Sequence, residues 1–251
     1  MDLFTWWILL IAAPAVVLAG ISKGGFGSGA AFVSSSILAL VIEPRLALGV
    51  MLPLLMLIDV RSIPAYWQKW SPPDARILIL GSLPGVVLGL LFFRWADPNA
   101  IRLLIGAICV LFVVWQALPI ADRPTSTKVG GGGITGLFMG AVLGFTSFVS
   151  HAGGPAAAIY LLRQGLDKTS YQATTVIVFW AVNLAKFFVY AAMGIFTVQS
   201  LMFGLVMAPF ALLGTWIGIR AHHLVPDRLF FAVTYAMLLL TGAKLIWDGL
   251  A

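Results

Sequence analysis

Gly20-Ile21-Ser22-Lys23-Gly24-Gly25-Phe26-Gly27-Ser28-Gly29 breaks an otherwise apolar N-terminal region, with apolar runs at 4–19 before it and 29–42 after it. Five glycines in ten residues open backbone conformations closed to other residues. A helix that stops here and restarts is discontinuous. At membrane depth such backbone is tolerated only where protein buries it or where it lines a cavity. The restarting helix presents unpaired N–H groups and the positive end of its dipole, which suit an anion, and Lys23 adds a charge. The same small residues would also serve as a close-packing seam between helices. A phosphate-binding P-loop is excluded, because the G-x-x-x-x-G-K-[ST] string is absent.

The rest of the chain has the composition of a membrane protein. Of 251 residues, 61% are apolar and 10% are charged, against about a quarter charged in soluble domains. Ten apolar segments follow one another at 4–19, 29–42, 46–65, 77–95, 101–120, 130–148, 152–162, 171–195, 201–219 and 229–247. Most are long enough to cross a core of about 30 Å at 1.5 Å per residue. Segments 29–42 and 152–162 are too short, and each follows a polar, glycine-rich break, so they read as re-entrant or broken helices. The expected fold is therefore all-α, a polytopic transmembrane bundle. The net charge of +6 is not read as a nucleic-acid signal, because Lys and Arg fall mainly between the apolar segments. Cys109 is the only cysteine and lies inside an apolar run, so no intrachain disulfide or cysteine-based metal site is possible. His222 and His223 read as interfacial residues rather than metal ligands. No cofactor motif is found. Met1-Asp2-Leu3 has no basic leader, so the first apolar run is expected to be a permanent helix.

The short segments are second in each group of five, which suggests a duplication. A shift of 124 residues pairs Gly20 with Gly144, Gly29 with Gly153, Asp59 with Asn183 and Tyr66 with Tyr190; a shift of 125 pairs Pro84 with Pro209 and Gly89 with Gly214. The expected organisation is a first repeat at 1–120, a flexible linker ADRPTSTKVGGGG at 121–133, and a second repeat at 134–251. Five segments per half give an odd number of crossings, so the second half is inverted. One face then receives Lys23, Lys69, Arg76, Arg123, Lys128, Arg163, Lys168, Arg220 and Arg228, the other Arg45, Arg94, Arg102 and Lys244. This bias of nine against four, or eight against four with Lys23 buried at a hairpin tip, places both termini outside. Four crossings per half give a poorer bias.

The second break, Phe145-Thr146-Ser147-Phe148-Val149-Ser150-His151-Ala152-Gly153-Gly154-Pro155, again offers hydroxyls, glycines and a helix start. An anion site shared by both breaks would use Lys23, Gly24, Gly25, Phe26, Gly27, Ser28 and Gly29 from the first. From the second it would use Ser147, Ser150, His151, Gly153 and Gly154, with Phe148 as an aromatic wall. Asp59 lies well inside an apolar segment, where an ionisable group is a functional candidate by default. Its repeat partner Asn183 is followed at i+3 by Lys186, so these two share a helix face. Asn183 and Lys186 join the candidate anion site. Asp59 and His151 are the candidates for proton coupling, and a mutual Asp59–Lys186 pair is the structural alternative.

SKGGFGSG at 22–29, LPLLMLIDV at 52–60 and Tyr66-Trp67-Gln68-Lys69, together with the size and the central linker, resemble the TauE/SafE sulfite-exporter family. The resemblance implies a secondary transporter in the cytoplasmic membrane that moves sulfite, a sulfonate or a similar small sulfur anion, driven by an ion gradient. The expected partners are that anion and the bilayer, and a homo-oligomer is compatible with this reading. Two other readings exist: an intramembrane hydrolase using Ser28 and His151, and an anion channel. Ser28 lacks the glycine two positions before it that intramembrane serine proteases show, which counts against the first.

Overall fold

A computed structural model describes residues 3–26, 32–117, 132–222 and 227–250. All regular elements among them are helical: α1 (Trp6–Ile21), α2 (Phe32–Val41), α3 (Pro44–Ser62), α4 (Pro72–Trp95), α5 (Pro98–Ala117), α6 (Gly132–Ser150), α7 (Gly154–Leu161), α8 (Lys168–Ala192), α9 (Val198–Ala221) and α10 (Asp227–Leu250). A π-helical turn, Ser22–Phe26, extends α1, and a 3-10 turn, Ile63–Tyr66, extends α3. Gly27, Ser28 and Gly29 lie outside the described residues, as does most of the linker.

Helix starts follow local chemistry. Glu43 caps α3 by accepting from Arg45 N at 3.2 Å and Leu46 N at 3.1 Å, with Pro44 in the first turn. Thr197 and Ser200 form a capping box at α9. Asp167 caps α8 through Thr169 N at 2.9 Å and Ser170 N at 3.1 Å. The Ser170 hydroxyl and these N–H groups hold the Asp167 carboxyl below its ordinary value of 3.8. The cap therefore contributes stability above that value and loses it as pH falls through the depressed one. The melting-temperature gap between wild type and Asp167→Ala is expected to stay constant near neutral pH and to close in strong acid.

Among the described residues, six helical stretches are long and apolar enough to cross a membrane: Trp6–Phe26, Pro44–Tyr66, Pro72–Trp95, Gly133–Ser150, Lys168–Ala192 and Val198–Ala221. The usual distribution of polarity is inverted. Leu80, Val87 and Leu88 of α4 and Leu205 of α9 are exposed, whereas Asp59, Thr174, Asn183 and Lys186 are buried. Trp6, Trp95 and Trp247 are exposed near helix ends, where interfacial belts form. The short elements remain short, α2 with 10 residues and α7 with 8.

Exchanging α1–α5 with α6–α10 maps most of the packed pairs onto packed pairs. The α1–α9 contact becomes α4–α6, α3–α9 becomes α4–α8, and α3–α8 and α5–α10 map onto themselves. Two of these crossings are close because glycines recur every fourth residue. Gly81 and Gly85 of α4 face Gly140 and Gly144 of α6, and Gly20 and Gly24 of the first helix face Gly214, Thr215 and Gly218 of α9. In lipid there is little hydrophobic drive between helices, so backbone-close packing must hold them. A Cβ added at Gly85 would fall on the Ala141 carbonyl oxygen and 2.8 Å from Phe145 N, whereas one at Gly133 meets nothing. Gly85→Val is therefore expected to prevent stable folding, while Gly133→Ala stays within about 0.5 kcal/mol of wild type, both read by thermal unfolding in detergent.

Contacts between distant residues sort the interhelix turns into two ends. One end joins Tyr66 to Gly24, Gln172 to Lys23, and Tyr160 to Asp74. The other joins Arg45 to the carbonyls of Phe93 and Ala96, and His151 to that of Leu48.

Candidate functional site

The polar interior is a chain of side chains running between the two breaks. Lys23 projects from the π-helical turn and its Nζ lies 2.7 Å from Asp59 Oδ1 on α3. Asn183 Nδ2, on α8, donates to Asp59 Oδ2 at 2.8 Å. One turn further along α8, Lys186 Nζ donates to Ser147 O at 2.7 Å, Ser147 Oγ at 3.0 Å and Asn183 Oδ1 at 3.3 Å. It also lies 2.8 Å from His151 Nδ1, and His151 Nε2 is 3.3 Å from Leu48 O. That pattern fits a neutral His151 whose Nδ1 accepts from the ammonium and whose Nε2–H donates to the carbonyl. Lys23 and Lys186 are 4% and 0% exposed, and Asp59 is 0% exposed.

Asp59 therefore pairs with Lys23, and its link to Lys186 runs through Asn183. None of Lys186's hydrogen-bond partners among the described residues carries a charge. With two lysines and one carboxylate, the chain holds one formal positive charge in excess. An uncompensated buried cation is costly, whereas an anion arriving beside it recovers that cost. Lys23 Nζ also faces the Phe179 ring at 5.3 Å, which adds a cation–π contact.

His151 is one of two non-glycine residues with positive φ among the described residues, at 57°. This turn ends α6 and starts α7, and its cost is met by the two ring contacts and the close packing behind it. A Cβ at Gly153 would lie 2.9 Å from Phe179 and 3.0 Å from Ser147 Cβ, so that position is tight on every side. Ser150 is buried but its hydroxyl returns to Thr146 O at 3.0 Å, away from Lys186. Phe148 is buried between Phe93 and Tyr190, with ring centroids at 5.6 Å and 5.0 Å. Gly24, Gly25 and Phe26 are buried in the π-helical turn, and Gly154 is buried at the start of α7.

Three residues that the sequence did not single out for the site hold that turn in place. Gln172 Nε2 donates to Lys23 O at 2.6 Å, the Tyr66 hydroxyl donates to Gly24 O at 2.7 Å, and His222 Nδ1 meets Gly25 O. His222, expected at the interface, is 2% exposed. The carbonyls left over where a helix changes pitch need donors, and these side chains supply them. A signal for Tyr66 existed in its match with Tyr190. Tyr190 donates its hydroxyl to Phe148 O just as Tyr66 does to Gly24 O, each pair 42 residues apart. Likewise Asp59 and Asn183, separated by 124 residues, are in direct contact.

A family model described as sulfite exporter TauE/SafE matches residues 12–245, a span that holds both breaks and every member of the buried chain. The chain belongs to the TauE/SafE sulfite-exporter family. It is thus an integral, multi-pass membrane protein of a family of sulfur-anion transporters. No curated protein and no solved structure matches it. In this TauE/SafE member the buried lysines among the described residues are Lys23, on the π-helical turn, and Lys186, on α8.

Proposed function

We propose that this TauE/SafE protein is a secondary transporter that carries a small sulfur oxyanion, sulfite or an organosulfonate, across the cytoplasmic membrane, coupled to an ion gradient. The observation that carries the reading is Lys186, fully buried and met by uncharged partners among the described residues. A monoanion between the two breaks would neutralise the excess charge and accept from Lys186 and Ser147. Asp59 carries the coupling proton, since its ionisation sets how much of the Lys23 charge is left for the substrate. Both ring nitrogens of His151 are engaged, which gives a Ser–His hydrolytic pair no support.

The halves 1–120 and 134–251 are inverted repeats in this reading, with both termini outside and α2 and α7 as the short limbs of the breaks. The paired tyrosine contacts support the inversion. Tyr66 to Gly24 lies at the end of the bundle that holds Asp74 and Gln172, while its equivalent, Tyr190 to Phe148, lies towards the opposite end, beside Phe93. The contact between Asp59 and Asn183 is where a two-fold axis in the membrane plane would pass.

The test is thermal unfolding of purified protein against sulfite, sulfate, thiosulfate, sulfoacetate, taurine and acetate. A ligand at a hundred times its Kd stabilises by about 2.7 kcal/mol. At least one sulfur oxyanion is expected to stabilise saturably and more than acetate. A flat response across the panel would remove the reading.

A further inference from the structure

The exchange of halves fails most clearly at the two short helices. α2 is packed against α1, α3, α5, α6 and α10. Ser34 Oγ donates to Ala15 O, and Ser36 Oγ meets Cys109 Sγ at 3.4 Å, so polar contacts pin α2 to α1 and α5. Its counterpart α7 packs mainly along α6 and the turn that follows it, and Tyr160 reaches Asp74 of α4. Where α2 meets α10, the matching pair would be α7 against α5. A groove of about 250 Å³ lies there instead, walled by Ile108 and Leu111 of α5, Met139 and Val142 of α6, and Ala156 and Ile159 of α7.

The groove has the chemistry to receive α7. Its lining is apolar except for Thr146, whose hydroxyl returns to Val142 O at 2.8 Å, so a helix face that closes on it strands no polar group there. Besides its buried residues Ala156, Ala157 and Leu161, α7 is held at its far end, among the described residues, by the Tyr160 hydroxyl donating to Asp74 Oδ1 at 3.0 Å. Asp74 is itself fixed, since Ser71 Oγ donates to its other oxygen at 2.5 Å and Ser71 N donates to Thr174 Oγ1 at 2.9 Å. At the near end lies the His151 turn, whose ring touches Lys186. Packed interfaces tend to have discrete arrangements rather than graded ones.

We propose that α7 has a second seat, reached by swinging about residues 151–153 to fill the groove against α5, with the Tyr160–Asp74 hydrogen bond as the latch that holds it open. Such a swing carries His151 with it and so alters the partners of Lys186. The link to transport rests on the function proposed above, whereas the second seat itself does not.

Disulfide trapping tests it. In full-length protein with Cys109→Ser, Leu111→Cys and Ile159→Cys face each other across the groove, and Ile108→Cys with Ile159→Cys is a second pair should the first fold poorly. A protease site in the 121–133 linker, cut after denaturation, leaves the halves joined only by the new bond. Native Cys109 with Gly242→Cys reports that oxidation works: a Cβ at Gly242 would lie 2.9 Å from that of Cys109, so α5 and α10 need part by only about 1 Å to reach disulfide geometry. The groove pair is expected to cross-link in membranes, and Tyr160→Phe is expected to speed it about tenfold, the worth of one hydrogen bond to a carboxylate. No bond in either groove pair, with or without Tyr160→Phe, while the Cys109 control forms, overturns the second seat. Failure of the transport reading looks different: the cross-link forms, but no anion alters the melting temperature.

Discussion

Lys186→Met is expected to weaken anion affinity about a hundredfold while leaving the empty protein within about 1 kcal/mol of wild-type stability. The two outcomes are separate consequences of one fact. The ammonium is fully buried and hydrogen-bonded to Ser147, His151 and Asn183, none of which is charged. Methionine keeps most of the volume and removes a desolvation cost, which offsets the hydrogen bonds lost at Ser147 O and Asn183 Oδ1. An arriving anion, by contrast, loses its charge partner, and hydrogen bonds to charged groups contribute about 1.5–3 kcal/mol each. Lys244→Gln is the control. Lys244 is exposed and paired with Asp248 one turn away, so its loss should leave affinity unchanged. Anion titrations of both variants, read by thermal shift, decide the matter. Wild-type affinity in Lys186→Met would move the site elsewhere.

Asp59→Asn has the larger effect on folding. The carboxylate is the direct partner of Lys23 at 2.7 Å, and both side chains are buried. Taking away one member of a buried pair strands the other and costs about 3–5 kcal/mol, a large share of the 5–15 kcal/mol that holds most proteins folded. Lys23→Met combined with Asp59→Leu removes both charges together and is expected to recover most of that loss. A double-mutant cycle on melting temperature measures the coupling. The double variant should be folded yet inactive, because it has lost the group assigned to proton coupling. If Asp59→Asn instead proved stable, with wild-type flux and unchanged pH dependence, neither the pair nor the coupling role would stand.

The membrane class, the helical class and the family could be read from the chain without coordinates. Long apolar runs have no other low-energy environment, and backbone groups in lipid must be paired within helices. A lysine at membrane depth marked 20–29 as special, but where the helix ends was not legible, since 6–26 is one helical stretch that changes pitch at Ser22–Phe26. The offset of 124 residues was also readable, and it picked out Asp59 with Asn183 before their 2.8 Å contact was known. Sequence offered Lys186 as the counterion of Asp59, whereas the carboxylate meets Lys23. Lys23 and Lys186 are 36 residues before it and 127 after it, and each had the chemistry to serve as its counterion. The π-helical turn brings Lys23 onto α3, and one turn of α8 separates Asn183 from Lys186, so the carboxylate takes the first and the amide reaches both. Gln172 and His222 were equally invisible, because their roles depend on carbonyls exposed by a change of helical pitch at residues 22–26. Local sequence sets what it would cost to leave a charge at membrane depth. Which groups cover that cost was decided only when α3, α6, α8 and α9 closed around the break, since long-range packing selects among partners that local chemistry makes equivalent.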